Sequence, residues 1–379
     1  MTKNKDQIVF VNQSSGYLMI DIIRAHDGLY DEYALLAGSI HSRNNKLPEH
    51  IKIDYLVKYN RKSKFKRLLS WVIGFIQILW IIKTRYRNAF LFIVTNPPLA
   101  VFIPFFCKNK YSILFYDIFP DALTELNIFS KSSILVRLWK KANKLIISNA
   151  TRIITISNGM RKLIEQYSEG RVVEVIPIWT DNNFFFSIPR QENVFLIQHG
   201  LCDKFIVLYS GNLGITHDVD VIIDLAENLQ NDNVFFVIIG GGEKYALISS
   251  EISNRALNNC MILPLQPSHI LPHSFSAADI AIVTLSKNAS HLSVPSKTYN
   301  YLSVGAPLLC IADKKSEIGE LVEKYSVGMC FSKNEINGMR EYILKVKNNS
   351  NYQSVLKRNA FTASLDYGVE NAKKFISNV

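Results

Sequence analysis

The chain lacks several features, and each absence argues against one class of protein. It has five scattered cysteines and no CxxC pair, so the sequence favours reduced thiols over a disulfide framework. Its first seven residues are polar and carry neither the apolar stretch nor the small-residue cleavage site of a signal peptide. No repeat of 20–50 residues and no extended low-complexity tract is present, which disfavours solenoids and disordered chains. These absences predict a cytoplasmic, globular protein.

What is present fits two domains with an anion-attracting surface. The 379 residues exceed the usual size of one hydrophobic core, and 48% of them are hydrophobic against 20% charged, with a mean hydropathy of +0.08. The formal net charge is +11 and the isoelectric point is near 9.2. Nucleic acid, phosphorylated sugars and anionic lipid headgroups would all satisfy such a field, so charge alone does not select the partner.

Short apolar runs alternate with helix-like stretches along the whole chain. This alternation predicts an α/β protein with two Rossmann-like, doubly wound, mainly parallel sheets. We place the N-terminal domain at 1–190, the C-terminal domain at 191–360 and a helix at 361–379 that returns to the N-terminal domain. Ligands in such folds bind outside the carboxyl ends of the strands, so we expect a cleft between the two domains. The predicted strands are Ile8–Asn12, Tyr33–Ala37, Ile51–Leu56, Ala89–Thr95, Ser112–Tyr116, Arg152–Ile156, Val172–Ile176, Phe205–Ser210, Val234–Gly240, Cys260–Leu263, Ile280–Leu285, Pro307–Ala312 and Met329–Phe331.

Two glycine-containing turns follow strands of the second half. The first contains Gly211, Asn212 and Gly214, and it leads into a predicted helix, an arrangement that exposes backbone N–H groups to an anion such as a diphosphate. The second, Gly240–Gly242, allows either close approach of a ligand or simply a tight turn. Both turns end strands of one domain, so one ligand could contact both.

The segment Ser293–Leu302 carries the most specific pattern. Ser296 is a candidate N-cap of a helix, Lys297 puts a cation in the first turn, and Asn300 follows about one turn later on the same face. A cation in the first turn of a helix is destabilised by the helix dipole. Its presence there therefore favours a role in binding an anionic partner. The alternative is a solvated surface lysine.

In these motifs the chain resembles glycosyltransferase family 4 type enzymes of the GT-B fold, especially the bacterial surface-polysaccharide branch. The likeness covers SGNLG, FVIIGGGEKY, AADIAIVTL and VPSKTYNYLSVGAPLL in the second half, and Tyr116–Asp121, Thr155–Met160 and Val175–Asp181 upstream. The resemblance implies a retaining hexosyl transfer from a nucleotide-sugar, usually a UDP-sugar. The acceptor would be a lipid-linked oligosaccharide of O-antigen, lipopolysaccharide, capsule or another surface polysaccharide.

The resemblance also implies roles for individual residues. Gly211 and Lys297 would contact the diphosphate, and Asp117 would face the reacting sugar, so Asp117 and Lys297 are the expected catalytic residues. No metal or other cofactor and no nucleic acid is expected. Further donor-binding residues would be Asn212, Gly214, Gly240, Gly241, Gly242, Ser296 and Asn300, and the acceptor or cleft side would include Ser15, Gly16 and Asp121.

Three departures from the family pattern keep a second interpretation open. Asn212 and His217 stand where the family often has Arg and Lys, and Asn300 stands where it usually has a ribose-binding glutamate. The earlier acidic residue has no equivalent at His291 or Leu292. A non-catalytic nucleotide-sugar or polyanion binding protein therefore remains the alternative. A sugar-nucleotide epimerase is disfavoured because no GxGxxG follows the first strand.

Two smaller patterns are given structural interpretations. Asp218 and Asp220 form a DxD, the metal-binding motif of the other major glycosyltransferase fold, but acids at a helix start favour capping and the dipole. His26 is a candidate for the N-terminal histidine that is common near the family's catalytic centre. Its neighbours Arg24 and Asp27 favour a surface position instead.

A basic cluster precedes the longest apolar helix candidate. The run Arg61–Arg67 contains five basic residues, and Leu68–Ile82 follows it with Trp71 and Trp80 inside. This stretch is shorter than the roughly 20 apolar residues of a spanning helix. Composition alone suits a buried sheet-covering helix and an interfacial helix on anionic lipid equally. With the resemblance added, we expect a protein peripherally bound to the inner face of the membrane.

Overall fold

The computed structural model describes residues 6–60, 63–125, 130, 132–214, 218–285 and 295–376. The chain divides into two compact units, the first formed by residues up to Ile178 together with those from Glu370 on, and the second by Trp179–Val369. Each unit has its own parallel sheet.

The first unit is built on a seven-stranded sheet in the order β5-β3-β1-β6-β7-β8-β9, with every pairing parallel. Its central strands are continuous apolar runs buried on both faces, as expected when helices cover both sides. A 3-10 helix, Pro98–Phe105, follows β6. The elements are β1 Gln7–Val11, β2 Ser14–Ser15, α1 Tyr17–Ala25, β3 Glu32–Ala37, β4 Ser39–Ile40, β5 Lys52–Tyr55, α2 Lys64–Arg85, β6 Phe90–Val94, β7 Tyr111–Phe115, α3 Asp121–Glu125, α4 Ile134–Asn149, β8 Ile153–Thr155, α5 Asn158–Ser168 and β9 Glu174–Val175.

The second unit is built on a six-stranded parallel sheet in the order β12-β11-β10-β13-β14-β15. The order reverses direction between β10 and β13, which is the switch point where open α/β sheets bind ligands. The elements are α6 Val194–Gln198, β10 Phe205–Asn212, α7 Asp220–Asn228, β11 Val234–Gly241, α8 Tyr245–Asn254, β12 Cys260–Leu263, α9 Leu271–Ser276, β13 Ile280–Thr284, α10 Lys297–Ser303, β14 Leu308–Ile311, α11 Glu317–Tyr325, β15 Gly328–Phe331, α12 Ile336–Asn348 and α13 Ser350–Leu365.

The predicted α/β class with two doubly wound parallel sheets is confirmed, and every predicted strand is present. The division of the chain falls before Trp179, however, and not at residue 190. The reason is packing, because Trp179 is 1% exposed and the ring of Phe185 meets that of Phe275 at 5.2 Å within the second unit. The linker-like composition of this segment therefore conceals an aromatic anchor of the second unit.

The C-terminal segment predicted as one helix over 361–379 is divided. Helix α13 ends at Leu365 within the second unit, and a separate 3-10 helix, Val369–Phe375, follows it. Residues from Glu370 on belong to the first unit. There the guanidinium of Arg152 donates to the carbonyl of Lys374 at 2.8 Å and to that of Phe375 at 2.7 Å.

His26 is buried, so the surface position predicted for it is wrong. The residue is 2% exposed at the end of α1, and its ring packs edge-on against Phe10 at 5.3 Å and Phe92 at 5.9 Å. Its Nδ1 lies 2.8 Å from the carbonyl oxygen of Ile22, and burial lowers the pKa of the ring. The neighbouring charged residues misled the prediction because the chain turns at the helix end, leaving them outside and the ring inside.

Helix α2 is longer than the apolar stretch that predicted it. It begins after Ser63, whose hydroxyl accepts a hydrogen bond from the Lys66 amide at 3.2 Å, and it runs to Arg85. The segment Phe65–Arg85 is long and apolar enough to cross a membrane by length and composition alone, with 28% of it buried in the protein. Arg61 and Lys62 of the basic cluster lie outside the described residues.

Candidate functional site

The two glycine turns of the second unit lie side by side at the carboxyl edge of its sheet. Strands β10 and β11 pair in register, so that Gly211 lies opposite Gly240. A Cβ on Gly240 would meet the Gly211 carbonyl oxygen at 2.1 Å, and one on Gly242 would meet Leu213 backbone atoms at 2.8 Å. Gly242 also has a φ of +144°, in the region that favours glycine. These glycines are thus required for two turns to pack directly on each other.

Lys297 lies against the first of these turns. Its Nζ would be 3.1 Å from a Cβ placed on Gly211, so the ammonium and the backbone of β10 are in close contact. Among the described residues the buried Nζ has no hydrogen-bond partner. Burial lowers the pKa of Lys297 to about 7. A buried cation without an acceptor is a costly arrangement that an anionic ligand would relieve.

The aromatic ring of Tyr209 packs against the ammonium of Lys297. The Nζ of Lys297 lies 3.5 Å from the centroid of the Tyr209 ring, within the range of a cation–π interaction. The Tyr209 hydroxyl donates to the carbonyl of Asn212 at 2.7 Å, which ties the ring to the turn. Sequence reasoning missed this residue, although a tyrosine in the otherwise apolar run FIVLYS was the available signal.

Tyr301 fixes the start of the same turn. Its hydroxyl accepts a hydrogen bond from the Ser210 amide at 2.8 Å, and its side chain is fully buried. Because Tyr301 is on α10 one turn beyond Lys297, this bond holds the helix that carries the lysine against the end of β10. It is a second residue that the sequence pattern did not single out.

The predicted partners of Lys297 on α10 take different positions. Ser296 is at the N-cap position, but it has a helical φ of −57° and its exposed side chain makes no capping bond, so the predicted cap is wrong. Asn300 is 4% exposed, and its Oδ1 accepts a hydrogen bond from the Thr180 hydroxyl at 2.8 Å. Its amide oxygen is therefore already bonded within the second unit. Ser293 and Val294 lie outside the described residues, as do His217, His291 and Leu292.

The remaining donor-loop residues lie at the open side of the turns. The side chain of Asn212 is exposed, and its Nδ2 would be 2.8 Å from a Cβ on Gly214. Gly241 has room for a side chain, since its Cβ would have only Leu265 Cδ1 nearby, at 4.0 Å. The exposed side chain of Asn212, together with Gly214 and Gly241, therefore lies at the open edge of the two turns.

In the first unit, Asp117 follows β7 and is exposed. The backbone amides of Tyr116 and Asp117 both donate to the Thr95 hydroxyl, at 3.1 and 3.4 Å, which holds the loop against the end of β6. Desolvation by neighbouring groups raises the pKa of the Asp117 carboxyl, although solvent still reaches it. An exposed carboxylate at a strand's carboxyl end is available to a ligand.

Asp121 differs from Asp117 in its surroundings. It is 8% exposed, and its carboxylate pairs with Lys140 Nζ at 3.2 Å and accepts a hydrogen bond from the Tyr167 hydroxyl. These contacts join α3 to α4 and α5, which favours a structural role over the acceptor role predicted for it. A buried carboxylate that is already paired has little to offer a ligand.

Ser15 ends β2, and Gly16 lies between this strand and α1. Ser15 is fully buried, and its hydroxyl donates to the Asn12 carbonyl at 3.0 Å. Gly16 is the N-cap residue of α1, with no atom within 4 Å of the place a Cβ would take. Of the two predicted acceptor-side residues, only Gly16 therefore borders open space.

Asp220 of the DxD motif forms a salt bridge within the second unit. Asp220 lies in the first turn of α7, as the dipole argument predicted, and it pairs with Lys244 at 2.5 Å. The cap position itself is Val219, so neither acid caps the helix. Within the described part of the chain, no group of three or more His, Cys, Asp or Glu side chains could hold a metal. His269 and His273 are four residues apart, but they do not belong to such a group.

Comparisons with known proteins find glycosyltransferases among the relatives of this chain. The family described as "Glycosyl transferases group 1" matches residues 197–363. The "Probable glycosyltransferase WbjE" of Pseudomonas aeruginosa is 27% identical over 248 residues, which are 64% of this chain and 60% of that protein. The "Putative colanic acid biosynthesis glycosyl transferase WcaI" of Escherichia coli is 28% identical over 212 residues, 54% of this chain and 52% of that protein. The matches thus span between half and two thirds of these relatives.

The fold extends the likeness to the whole chain. Anabaena HepE, solved in complex with UDP, superposes with a TM-score of 0.72 at 16% identity over 97% of both chains. The same protein has been solved with UDP-glucose. Solved glycosyltransferases of the GT-B fold likewise cover at least 97% of this chain. Residues 197–363 therefore match the glycosyl transferases group 1 family, and the chain has the GT-B fold of these solved glycosyltransferases.

Proposed function

We propose that this protein is a retaining glycosyltransferase that moves a sugar from a UDP-sugar to a lipid-linked oligosaccharide during surface polysaccharide synthesis. The observation that carries the proposal is the buried ammonium of Lys297, which has no hydrogen-bond partner among the described residues and lies against Gly211. The UDP complexes of HepE and the names of WbjE and WcaI support the donor class and the polysaccharide setting. Family 4 membership and an O-antigen product are part of the same proposal.

The role proposed for Lys297 is to stabilise the leaving group. Transfer passes through an oxocarbenium-like transition state while the nucleoside diphosphate departs with growing negative charge. A desolvated ammonium and backbone amides fixed beside that diphosphate stabilise the charge where it develops, and they need no reorganisation to do so. Lys297 and the turns at Gly211 and Gly240 are the groups of this chain that suit that task. No metal is needed for it.

Asp117 is the residue we propose beside the reacting sugar. Its backbone amide donates to the Thr95 hydroxyl, and its side chain is exposed at the end of a parallel strand, where ligands of such folds bind. A carboxylate near an oxocarbenium-like centre stabilises positive charge on the ring. Asn300 stands where the family usually has a glutamate, and its amide oxygen is already bonded to Thr180, so we expect the donor's ribose to be bound more weakly but not excluded.

We further propose that the protein works in the cytoplasm, bound peripherally to the inner face of the membrane. The face of α2 that meets the fold carries Ser70, Gly74 and Ile78, whereas the opposite face exposes large apolar side chains. Basic residues follow at the helix end, including Lys83 and Arg85. An exposed apolar face with basic ends is typical of interfacial helices on anionic lipid. The exposed residues are Phe65, Leu68, Leu69, Val72, Ile73, Ile76 and Trp80.

The decisive experiment is transfer by Lys297→Ala. Purified protein is incubated with a panel of UDP-sugars and a lipid-linked acceptor, and mass spectrometry identifies the product. We expect the variant to lose at least about a hundredfold in turnover while keeping its thermal unfolding. The matched control is Lys345→Ala, since Lys345 also lies over a tyrosine ring, that of Tyr352 at 4.4 Å, but on the surface of α12.

Two results would contradict the proposal. Near-normal turnover by a folded Lys297→Ala protein would remove the role given to the ammonium. Saturable binding of UDP-sugars by the wild type without release of UDP or formation of product would instead identify the non-catalytic binding protein.

A further inference from the structure

An apolar groove opens in the first unit between the 3-10 helix Pro98–Phe105 and α4. Its volume is about 340 Å³, at the lower end of the roughly 300–1,000 Å³ range of small-molecule sites. The side chains that line it are hydrocarbon or aromatic, and none is charged. The principal ones are Phe102, Pro120, Leu135, Leu138, Trp139 and Ala142. A groove of this composition favours a hydrocarbon ligand, since any polar group placed there would lose its bonds to water.

Apolar side chains extend from the groove to the surface of the first unit. Leu135 and Leu138 of α4 line the groove and are 65% and 57% exposed. Just after the 3-10 helix, Phe106 is 51% exposed, and its ring meets that of Phe75 of α2 edge-on at 5.9 Å. Exposed apolar side chains at the rim of the groove suit an approach to it from a lipid surface.

The other end of the groove reaches the loop that carries Asp117. Pro120 is part of the groove lining, three residues after Asp117. The Phe119 ring stacks on Trp139 at 6.2 Å, and Asn143 of α4 donates to the Phe119 carbonyl at 2.7 Å. A chain in the groove would thus have one end close to the exposed carboxylate.

The charges around the groove suit an anionic headgroup. Arg137 and Lys141 are exposed on α4, and Lys108 and Lys110 are exposed just after the 3-10 helix. Basic residues beside an apolar surface bind lipids whose headgroup carries phosphate. The negative charge of Asp117, at the other end of the groove, repels a phosphate. We therefore expect the phosphate of a bound lipid to lie beside the basic residues.

We propose that this groove binds the hydrocarbon chain of the phosphate-bearing lipid that carries the acceptor glycan. The inference rests on the proposed transfer to a lipid-linked acceptor and adds where the lipid is held. It makes the groove a binding site separate from the diphosphate site of the second unit.

The test uses soluble isoprenoids and the full-length protein. Farnesyl phosphate, farnesol and inorganic phosphate are titrated by calorimetry into the wild type and into Ala142→Phe, which fills the groove with an aromatic ring. Leu145→Phe is the matched control, because Leu145 is on the same helix, 54% exposed, and outside the lining. Leu135→Gln is a second variant in case the larger ring disturbs the fold, and thermal unfolding of all four proteins checks this.

We expect farnesyl phosphate and farnesol to bind the wild type and inorganic phosphate not to displace them. Ala142→Phe and Leu135→Gln should weaken binding of both at least about tenfold, which is about 1.4 kcal/mol, while Leu145→Phe stays within about twofold. Equal binding by all folded variants, or no binding of farnesol to the wild type, would overturn the proposal. Displacement of farnesyl phosphate by dihexanoyl phosphatidylglycerol at equal concentration would also overturn it, since the groove would then be a site for bulk membrane lipid.

Transfer assays separate this inference from the proposed function. If Ala142→Phe loses groove binding but glycosylates the lipid-linked acceptor as fast as the wild type, the groove is not the acceptor's site and the inference fails alone. If farnesyl phosphate binds as expected but no UDP-sugar is ever consumed, the glycosyltransferase proposal fails and the lipid site stands.

Discussion

The ammonium of Lys297 lies 3.5 Å from the ring centroid of Tyr209, and this is the central relationship of the second unit. The ring face supplies a favourable electrostatic contact to a buried cation that lacks a hydrogen-bond acceptor within the described residues. The pair keeps the ammonium beside Gly211 before any ligand arrives, which is what electrostatic preorganisation requires.

Stability should depend on pH through Lys297. The pKa of Lys297 is about 7 in the folded protein and 10.5 ordinarily, so between these values the unfolded chain binds more protons. The free energy of unfolding should therefore rise with pH across this window, by up to about 1.4 kcal/mol per pH unit. Lys297→Met lacks this contribution, so its stability advantage over the wild type should be largest at pH 7 and below and should shrink towards pH 10.

Urea unfolding of both proteins between pH 6.5 and 9.5 measures the difference. Lys345→Met is the control, since Lys345 is exposed and its removal should leave a difference that does not change with pH. A constant difference for Lys297→Met as well would mean that the ammonium keeps its ordinary pKa.

The ring of Tyr209 should matter for UDP binding more than its hydroxyl. Tyr209→Phe keeps the aromatic face beside the ammonium and loses the hydroxyl, which bonds the Asn212 carbonyl and the Thr284 side chain. Tyr209→Leu removes the cation–π contact, which contributes about 2 kcal/mol when desolvated. We expect UDP affinity, measured by calorimetry, to fall several-fold more in the leucine variant than in the phenylalanine variant. Equal losses in the two variants would assign the effect to the hydroxyl.

Adjacent glycines should respond very differently to alanine. Gly240→Ala would bring its Cβ to 2.1 Å from the Gly211 carbonyl oxygen, so one of the turns must move. We expect a loss of about 2–4 kcal/mol in the free energy of unfolding and loss of UDP binding. Gly241→Ala is the matched control, because the nearest atom to its Cβ would be 4.0 Å away. Denaturant unfolding of the pair checks the prediction, and equal stability would contradict the packing of the two turns.

Asp117→Asn should lower turnover more than donor affinity. The amide keeps the shape of the side chain and removes the negative charge that would stabilise the developing positive charge on the sugar. We expect kcat to fall at least about tenfold while the KM for the UDP-sugar changes little. Asp27→Asn, at an exposed pair with His50, is the control. A pure rise in KM would instead place Asp117 in ground-state binding.

Charging the exposed face of α2 should release the protein from lipid. Ile76 is 59% exposed, and Ile76→Glu places a charge where we propose contact with the headgroup region. We expect co-sedimentation with phosphatidylglycerol vesicles to fall at least about tenfold. Leu365→Glu, at 60% exposure on α13, is the matched control. Loss of binding in both variants would show a nonspecific effect of charge and contradict the assignment of this face.

The sequence alone determined the strands, the parallel class and the meeting of the two glycine turns. Short apolar runs bounded by turn residues and alternating with helical stretches are typical of strands buried on both faces, and turns that end neighbouring parallel strands must meet at one edge, as Gly211 and Gly240 do. The pattern of Ser296, Lys297 and Asn300 also singled out Lys297, because the spacing of residues along one helix is local in the sequence. What the tertiary structure decided is which polar groups are already satisfied: Asp121 is paired with Lys140, Asn300 is bonded to Thr180, His26 is inside the core, and Tyr209 lies under the ammonium. Such partners come from distant parts of the chain, so no local period or spacing encodes them.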